Sequence, residues 1–518
     1  MTKDERIDKW KSQGILEPSC VLDRIEAEDA IDPELGILSL SINELDEAAF
    51  VSLLRTKGGL PQSCEGFGRL IYSVIAYLSA TPFYRQLGEE APSSLSLAEI
   101  YRGLVWILPD IHRRIIVAGS SARSRTVADH RRLLFQSLAT TTHDRPYDPV
   151  EACQRATYNA HFESDAFYAN PDWLFVNHDD DGDEMYHDVL DVLHATQPEP
   201  NYPYAGVQRD AFRELAKTLT KEQPKLYTLA IPLDRFVAFV TFLLALQFEH
   251  KTPGEPVLSQ YEEVAKNLTA SFCEDANANA DVITWSKFDD ALKQMPFLLD
   301  PLYRILSAAF LQRTPFAVSG DWIAPQPPGD SFMTLPRLSQ LATMVNQDVD
   351  FENFGRAHQW RTGIRPTAEV LVNVMKTMPD LSILTMCGLS SAGENYVLGI
   401  FKPLLLDVKK QASEGEDNEE EADEEEYEPV VLEMDPVHDR VEYRGSITHP
   451  ARPILFILSP VQRAIRFKDE PYVAEDRVHF GDALTISNDG TASIGTGHTA
   501  IQIKTKAIEI WGETSTRT

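Results

Sequence analysis

The sequence predicts an α+β protein, with an all-helical N-terminal region followed by a β-sandwich flanked by helices. Two observations carry this reading. From about residue 30 to 320, apolar residues recur at spacings of three and four, whereas short β-rich runs separated by turn residues dominate after residue 380. A proline-rich stretch at 323–330 lies between them and favours linker over regular structure. The 518 residues leave room for several domains. They divide into an N-terminal segment (1–30), a helical region (31–322) with an acidic insertion near 177–203, and a β-rich domain (331–513) with an acidic loop at 413–429.

The helices are justified in turn. Residues 43–56 place Leu45, Ala49, Phe50, Leu53 and Leu54 at helical spacing and stop at Gly58 and Gly59. Residues 70–78 form an apolar helix that ends before Pro82. Ser96 and Glu99 have capping-box spacing ahead of Ile100, Leu104 and Ile107. Further helices are expected at 126–138, 211–219, 233–248, 260–272, 285–295 and 302–310. The most apolar run, 236–248, falls short of the ~20 residues that cross a bilayer, so it reads as a buried helix. Beyond the boundary, helices are expected at 335–345 and 368–378. Strands are expected at 382–387, 396–401, 453–458, 478–486, 499–503 and 507–511. No solenoid-type repeat is evident.

The formal charge of −31 excludes general phosphate-backbone binding, which needs a basic surface, so no nucleic acid is expected. Eleven acids fall in 413–429 and seven in 179–191, leaving about −13 on the rest of the chain. Such blocks repel themselves and read as mobile loops. The start of the chain is charged, with Thr at position 2, so neither a signal peptide nor myristoylation is expected, and no direct membrane insertion. Five scattered cysteines without a CxxC read as reduced thiols of a cytosolic protein.

The chemistry-bearing candidates are few. Asn177, Asp179, Asp181 and Asp188 occupy positions 1, 3, 5 and 12 of an EF-hand loop pattern, with Gly182 at 6. Glu184 at the normally apolar position 8 and a short Asp at 12 depart from it, and a solvated acidic loop is the preferred reading. Ile283, Trp285, Phe288 and Leu292 resemble the entering helix of such a hand but have no liganding loop beside them, so a core helix is preferred. Arg113, Arg114, Arg123, Arg125, Arg131 and Arg132 form the notable basic cluster. Arginine forks suit carboxylates and phosphates, so the cluster can receive an acidic partner or the chain's own acidic loops, or lie on a solvated helix face. No catalytic residue, cofactor or confident metal site is assigned.

Four short runs carry a family resemblance: Leu384, Thr385, Met386 and Cys387; the run from Tyr396 to Phe401 through Gly399; the run from Ile454 to Ser459 and Pro460; and the run from Ile508 through Glu509 and Trp511 to Gly512. In order and spacing they resemble the TLDc domain, and the helical half is similar to fungal TLDc proteins of the restriction of telomere capping family, number five of that series. The resemblance implies a β-sandwich flanked by helices in a non-enzymatic regulatory protein. It also implies binding to the vacuolar proton-pumping ATPase, recruitment from the cytoplasm to the vacuole through that partner, and roles in oxidation resistance or telomere-capping-related processes. Gly399, Phe401, Ser459, Pro460, Glu509, Trp511 and Gly512 are its structural signposts. The usual glycine-rich stretch is replaced at 494–504. Two alternatives are an antioxidant activity, for which Cys387 is the only thiol of that domain, and a calcium-responsive scaffold.

Overall fold

A computed structural model of the chain describes residues 3–25, 44–83, 90–108, 127–142, 148–155, 184–198, 206–220, 225–248, 255–273, 281–311, 325–345, 354–361, 366–377, 382–402, 453–466, 472–474, 476–481, 483–495 and 500–513. Its contacts divide into two units. The first holds Met1–Asn346 and Leu458–Arg463, and the second Gln347–Ile457 and Ala464–Thr518. Helices and antiparallel sheet together make the protein α+β.

The first unit runs α1 (Lys3–Ser12), α2 (Pro18–Ile25), β1 (Glu44–Asp46), α3 (Glu47–Thr56), α4 (Glu65–Leu78), β2 (Ser94–Ser96), α5 (Leu97–Ile107), α6 (Val127–Leu138), β3 (Thr141–Thr142), α7 (Glu184–Ala195), α8 (Arg213–Leu219), β4 (Leu229–Pro232), α9 (Leu233–Ala245), α10 (Glu262–Thr269), β5 (Val282–Thr284), α11 (Trp285–Gln294), α12 (Asp300–Phe310) and α13 (Leu335–Val345). Four times, a short strand with a buried centre leads directly into a helix. β1 pairs antiparallel with β2, setting Leu45 opposite Leu95, and β4 pairs with β5, setting Ile231 opposite Ile283. The strand centre and the fifth and ninth residues after it are buried in every copy: Leu45, Phe50, Leu54; Leu95, Ile100, Leu104; Ile231, Phe236, Val240; Ile283, Phe288, Leu292. The last two of each set are four apart, one above the other on a helix face. Phe288 shows what the spacing achieves, packing against Phe135, Phe236 and Phe272 with ring centroids 5.4, 5.7 and 5.8 Å away.

This strand pairing and spacing resemble the exit half of paired EF-hands, and α11, which follows β5, is the core helix that the sequence favours. Four residues beyond the strand centre, where a calcium loop places its bidentate carboxylate, stand Ala49, Glu99, Arg235 and Lys287. Glu99 instead accepts hydrogen bonds from Ser96 N and Ser96 Oγ, both at 2.8 Å, and closes the expected capping box on α5. α3 is capped by Asp46, whose Oδ1 accepts from Ala49 N at 2.7 Å. All four units are held by apolar burial, and α3 and α5 also by side-chain caps.

The division falls after α13 and not at the proline-rich stretch, because α13 packs on α9 and α10. Residues 3–25 likewise belong to the first unit and are not a separate segment.

The second unit contains β6 (Phe354–Arg361), α14 (Ala368–Thr377), β7 (Ser382–Ser390), β8 (Asn395–Lys402), β9 (Ile454–Ser459), β10 (Arg463–Arg466), β11 (Tyr472–Ala474), β12 (Arg477–Phe480), β13 (Leu484–Ser487), β14 (Thr491–Ile494) and β15 (Ile501–Glu513). Leu458, Ser459 and Arg463, at the turn between β9 and β10, are assigned to the first unit. The strand order is β10-β9-β8-β7-β15-β14-β13-β12-β11, with β6 also on β15. β15 organises the sheet: its first residues pair with β14, its last with β6, and its other edge with β7. The two expected strands at 499–511 are this one strand, and 478–486 is two strands, β12 and β13. Met386, Leu398 and Leu455 from one half of the sheet share a core with Val478, Ile486 and Ala492 from the other, together with Leu371 of α14. The turn at 487–490 does a second job, since Asn488 Oδ1 accepts from Ala368 N at 2.7 Å and caps α14.

Gly399 of β8 lies opposite Thr385 of β7, and a Cβ there would sit against Leu384 O and 2.6 Å from Phe456 Cζ. Gly399→Ala should therefore destabilise the protein by about 1–3 kcal/mol through overpacking. The shift of its denaturant midpoint measures this, and an unchanged midpoint would show that the strands can separate to admit a methyl.

Candidate functional site

The densest set of buried charges lies in the first unit and is organised by α6. Its consecutive residues Arg131 and Arg132 are 7% and 0% exposed. Neighbouring helix positions diverge by about 100°, so the two side chains face different helices. Arg131 donates from Nε and Nη2 to Asp289 Oδ1 of α11, at 2.8 and 2.7 Å. The other Asp289 oxygen accepts from Arg155 Nη1 at 3.1 Å and lies 2.9 Å from Lys293 Nζ. Arg132 grips Asp188 of α7 with two parallel bonds, Nη1 to Oδ2 at 2.6 Å and Nη2 to Oδ1 at 2.8 Å. It also donates to Asp129 Oδ1 and Gln136 Oε1, both at 3.2 Å.

α7 carries a third pair. Arg209 Nε donates to Asp191 Oδ1 at 2.6 Å, with His187 Nδ1 3.4 Å from Arg209 Nη2. Burial pushes the neighbouring His194 imidazole down, which keeps it neutral. Each buried carboxylate thus has a guanidinium partner, the condition under which buried charge is tolerated.

This arrangement bears on three readings of the sequence. Residues 184–191 of the acidic block are not a loop but most of a buried helix, and the Asp188 and Asp191 carboxylates are neutralised by Arg132 of α6 and by Arg209. Asp188 is no calcium ligand, since both its oxygens accept from Arg132; Asn177, Asp179 and Asp181 lie outside the described residues. Arg131 and Arg132 are not exposed partner-binding residues: Arg132 receives an acid of the chain's own acidic segment, and Arg131 receives Asp289. Arg113, Arg114, Arg123 and Arg125 lie outside the described residues.

The signpost residues of the sequence resemblance fall mainly on central strands. Gly399 and Phe401 are on β8, opposite Thr385 and Ile383. Glu509, Trp511 and Gly512 are on β15, opposite Gln359, Arg356 and Gly355 of β6. Trp511 is buried and stacks on Phe354 with centroids 6.1 Å apart. Glu509 is fully buried, and its Oε1 accepts from Arg356 Nη1 and Gln359 Nε2, each at 3.2 Å. Those partners escaped the sequence reading because β6 was not recognised as a strand. Ser459 and Pro460 belong to the first unit, and the acidic loop at 413–429 lies outside the described residues. Cys387 is half-buried in β7, opposite Ala507 and Val397.

Among the described residues, no group of three or more His, Cys, Asp or Glu is placed to hold a metal ion, and no helix is long and apolar enough to cross a membrane. No family model matches the chain, and no curated protein matches it.

Asp188→Asn leaves the Arg132 guanidinium buried without its bidentate partner. We expect a loss of about 3–5 kcal/mol in urea unfolding; a loss below about 1 kcal/mol would show that Asp129 and Gln136 suffice to hold the charge.

Burial alone would raise the Asp289 carboxyl, but Arg131 and Lys293 outweigh it and hold it below the usual aspartate range. A depressed folded-state value stabilises fully above the unfolded-state value near ~4, and that stability is lost as pH falls through the lower folded-state value. The urea midpoint should hold down to about pH 5 and decline below about pH 4. Asp289→Asn should flatten that decline, and an identical acid profile in wild type and variant would assign the loss to other carboxylates.

Proposed function

We propose that this chain is a non-enzymatic regulatory protein of the TLDc type, that its second unit is a TLDc-like β-sandwich, and that it binds the vacuolar proton-pumping ATPase. One observation carries the reading. The runs at 384–387, 396–401, 454–460 and 508–512, which resemble the family in order and spacing, fall, all but Pro460, on four strands that are neighbours in one sheet, β9-β8-β7-β15. Segments far apart in the sequence thereby form one buried block. The shared core of the two sheet halves accords with a sandwich.

In this reading the signposts build a rigid frame, and partner contact falls to surfaces around it. The protein is cytoplasmic and reaches the vacuole through its partner, acting in oxidation resistance or telomere-capping-related processes. The acidic block at 413–429 steers encounter with a basic surface of the pump, since opposite charge raises association rates more than it slows dissociation.

Surface-immobilised full-length protein exposed to purified vacuolar ATPase provides the test. Binding is expected, with deletion of 413–429 slowing association at low salt and leaving dissociation unchanged. No binding at ~10 μM pump, a level that would detect even a modest affinity, would remove this partner.

A further inference from the structure

Residues 3–25 fold as a small helical hairpin. α1 ends in a Schellman-type turn: Gly14 adopts φ 70°, Ile15 N donates to Trp10 O at 3.1 Å and Gly14 N to Lys11 O at 3.0 Å. α2 follows at once. Ile7, Trp10, Leu16, Val21 and Ile25 are buried, while Glu5, Asp8, Lys9, Lys11 and Ser12 face solvent. The hairpin therefore has one apolar stripe and one charged face. Helices of 10 and 8 residues are too short to persist alone in water, so their order depends on what they rest against.

What they rest against is specific. Trp10 stacks on Phe212, with rings within 5° of parallel and centroids 6.4 Å apart. α1 packs on the 3-10 turn Arg209–Phe212 and α2 on α7. Arg24 donates from Nε to Thr196 O at 2.6 Å, just past the end of α7, and from Nη1 to Ile15 O at 2.8 Å. A helix C-terminus concentrates unpaired carbonyls and negative potential, which favours a cation there. The receiving surface thus offers a buried aromatic ring and a carbonyl-rich helix end, and both recognise chain 170 or more residues away in sequence.

We propose that residues 3–25 are an exchangeable ligand of their own chain. The surface formed by Phe212, α7 and the carbonyl of Thr196 is a docking site for an amphipathic helical segment with an aromatic anchor and a trailing arginine. A partner protein carrying such a segment competes with the hairpin for this site. The anchors named above belong to the apolar stripe and to Arg24, as in helix-in-groove recognition, so the hairpin can leave as a unit without unfolding the helices beneath it. This inference is independent of the vacuolar ATPase reading.

The test uses the full chain and a fluorescent synthetic peptide of residues 3–25 with Cys20→Ser. In the wild type the tethered hairpin competes, so the peptide binds weakly. In Trp10→Ala the site is vacated more often, and the peptide should bind at least about tenfold tighter, as expected when the competent fraction rises by that factor. Arg24→Ala, which removes two hydrogen bonds without opening an aromatic cavity, should act in the same direction. Phe212→Ala combined with Arg24→Ala should abolish the gain. Cys20 is the exposed thiol of the chain, and a dye there reports release of the hairpin as lost anisotropy. Equal, weak peptide binding in the wild type, W10A and R24A would overturn the proposal. So would an unchanged Cys20 signal in both variants, which shows that the hairpin does not leave.

Discussion

The first unit depends on a geometric accident of the α-helix put to use. Arg131 and Arg132 are adjacent in sequence, yet they bind carboxylates on two different helices because successive side chains diverge around the axis. One turn of α6 thereby ties α11 to α7. Neither bond is optional once the helices are packed, since an isolated guanidinium or carboxylate removed from water costs several kcal/mol. The charges themselves need not add net stability. Their effect is on register: α7 and α11 can settle only where the two carboxylates reach the two forks.

That constraint operates on an architecture otherwise maintained by apolar burial. The four strand–helix units share paired strands and three buried positions each, and the fourth residue beyond each strand centre is Ala49, Glu99, Arg235 or Lys287. The paired strands still satisfy one another's backbone groups, and Glu99 and Asp46 satisfy helix N-termini instead of an ion. The second unit solves a similar problem by different means. One long strand, β15, serves partners on both edges, and Gly399 lets β8 lie close under Phe456.

Much of the helical pattern was legible because amphipathic spacing is local. The helices ending at Thr56, Leu78, Ile107, Leu138 and Val345 stand within a few residues of where periodicity and caps place them. α7 was not legible: its acids at 184, 188 and 191 read as part of a self-repelling loop, and Arg132 and Arg209 make Asp188 and Asp191 compatible with burial. β1, β2, β4 and β5 were missed because three or four residues give no period. β6 was missed because its exposed and half-buried residues do not alternate. Of the candidate site, the arginines were identified, but their direction was not, since exposure and burial of a helix face depend on what packs against it.

By itself the sequence determined the α+β class, the capping box at Ser96 and Glu99, and most of the helices of the first unit. All of these rest on interactions within a few residues. The tertiary structure decided which charges are buried, that Asp188 answers Arg132 and Asp289 answers Arg131, that β1 meets β2 and β4 meets β3 and β5, and that Trp10 rests on Phe212. Those pairings join residues 50 to 200 positions apart. Whether such groups meet is set by the packing of whole helices, which no local spacing encodes.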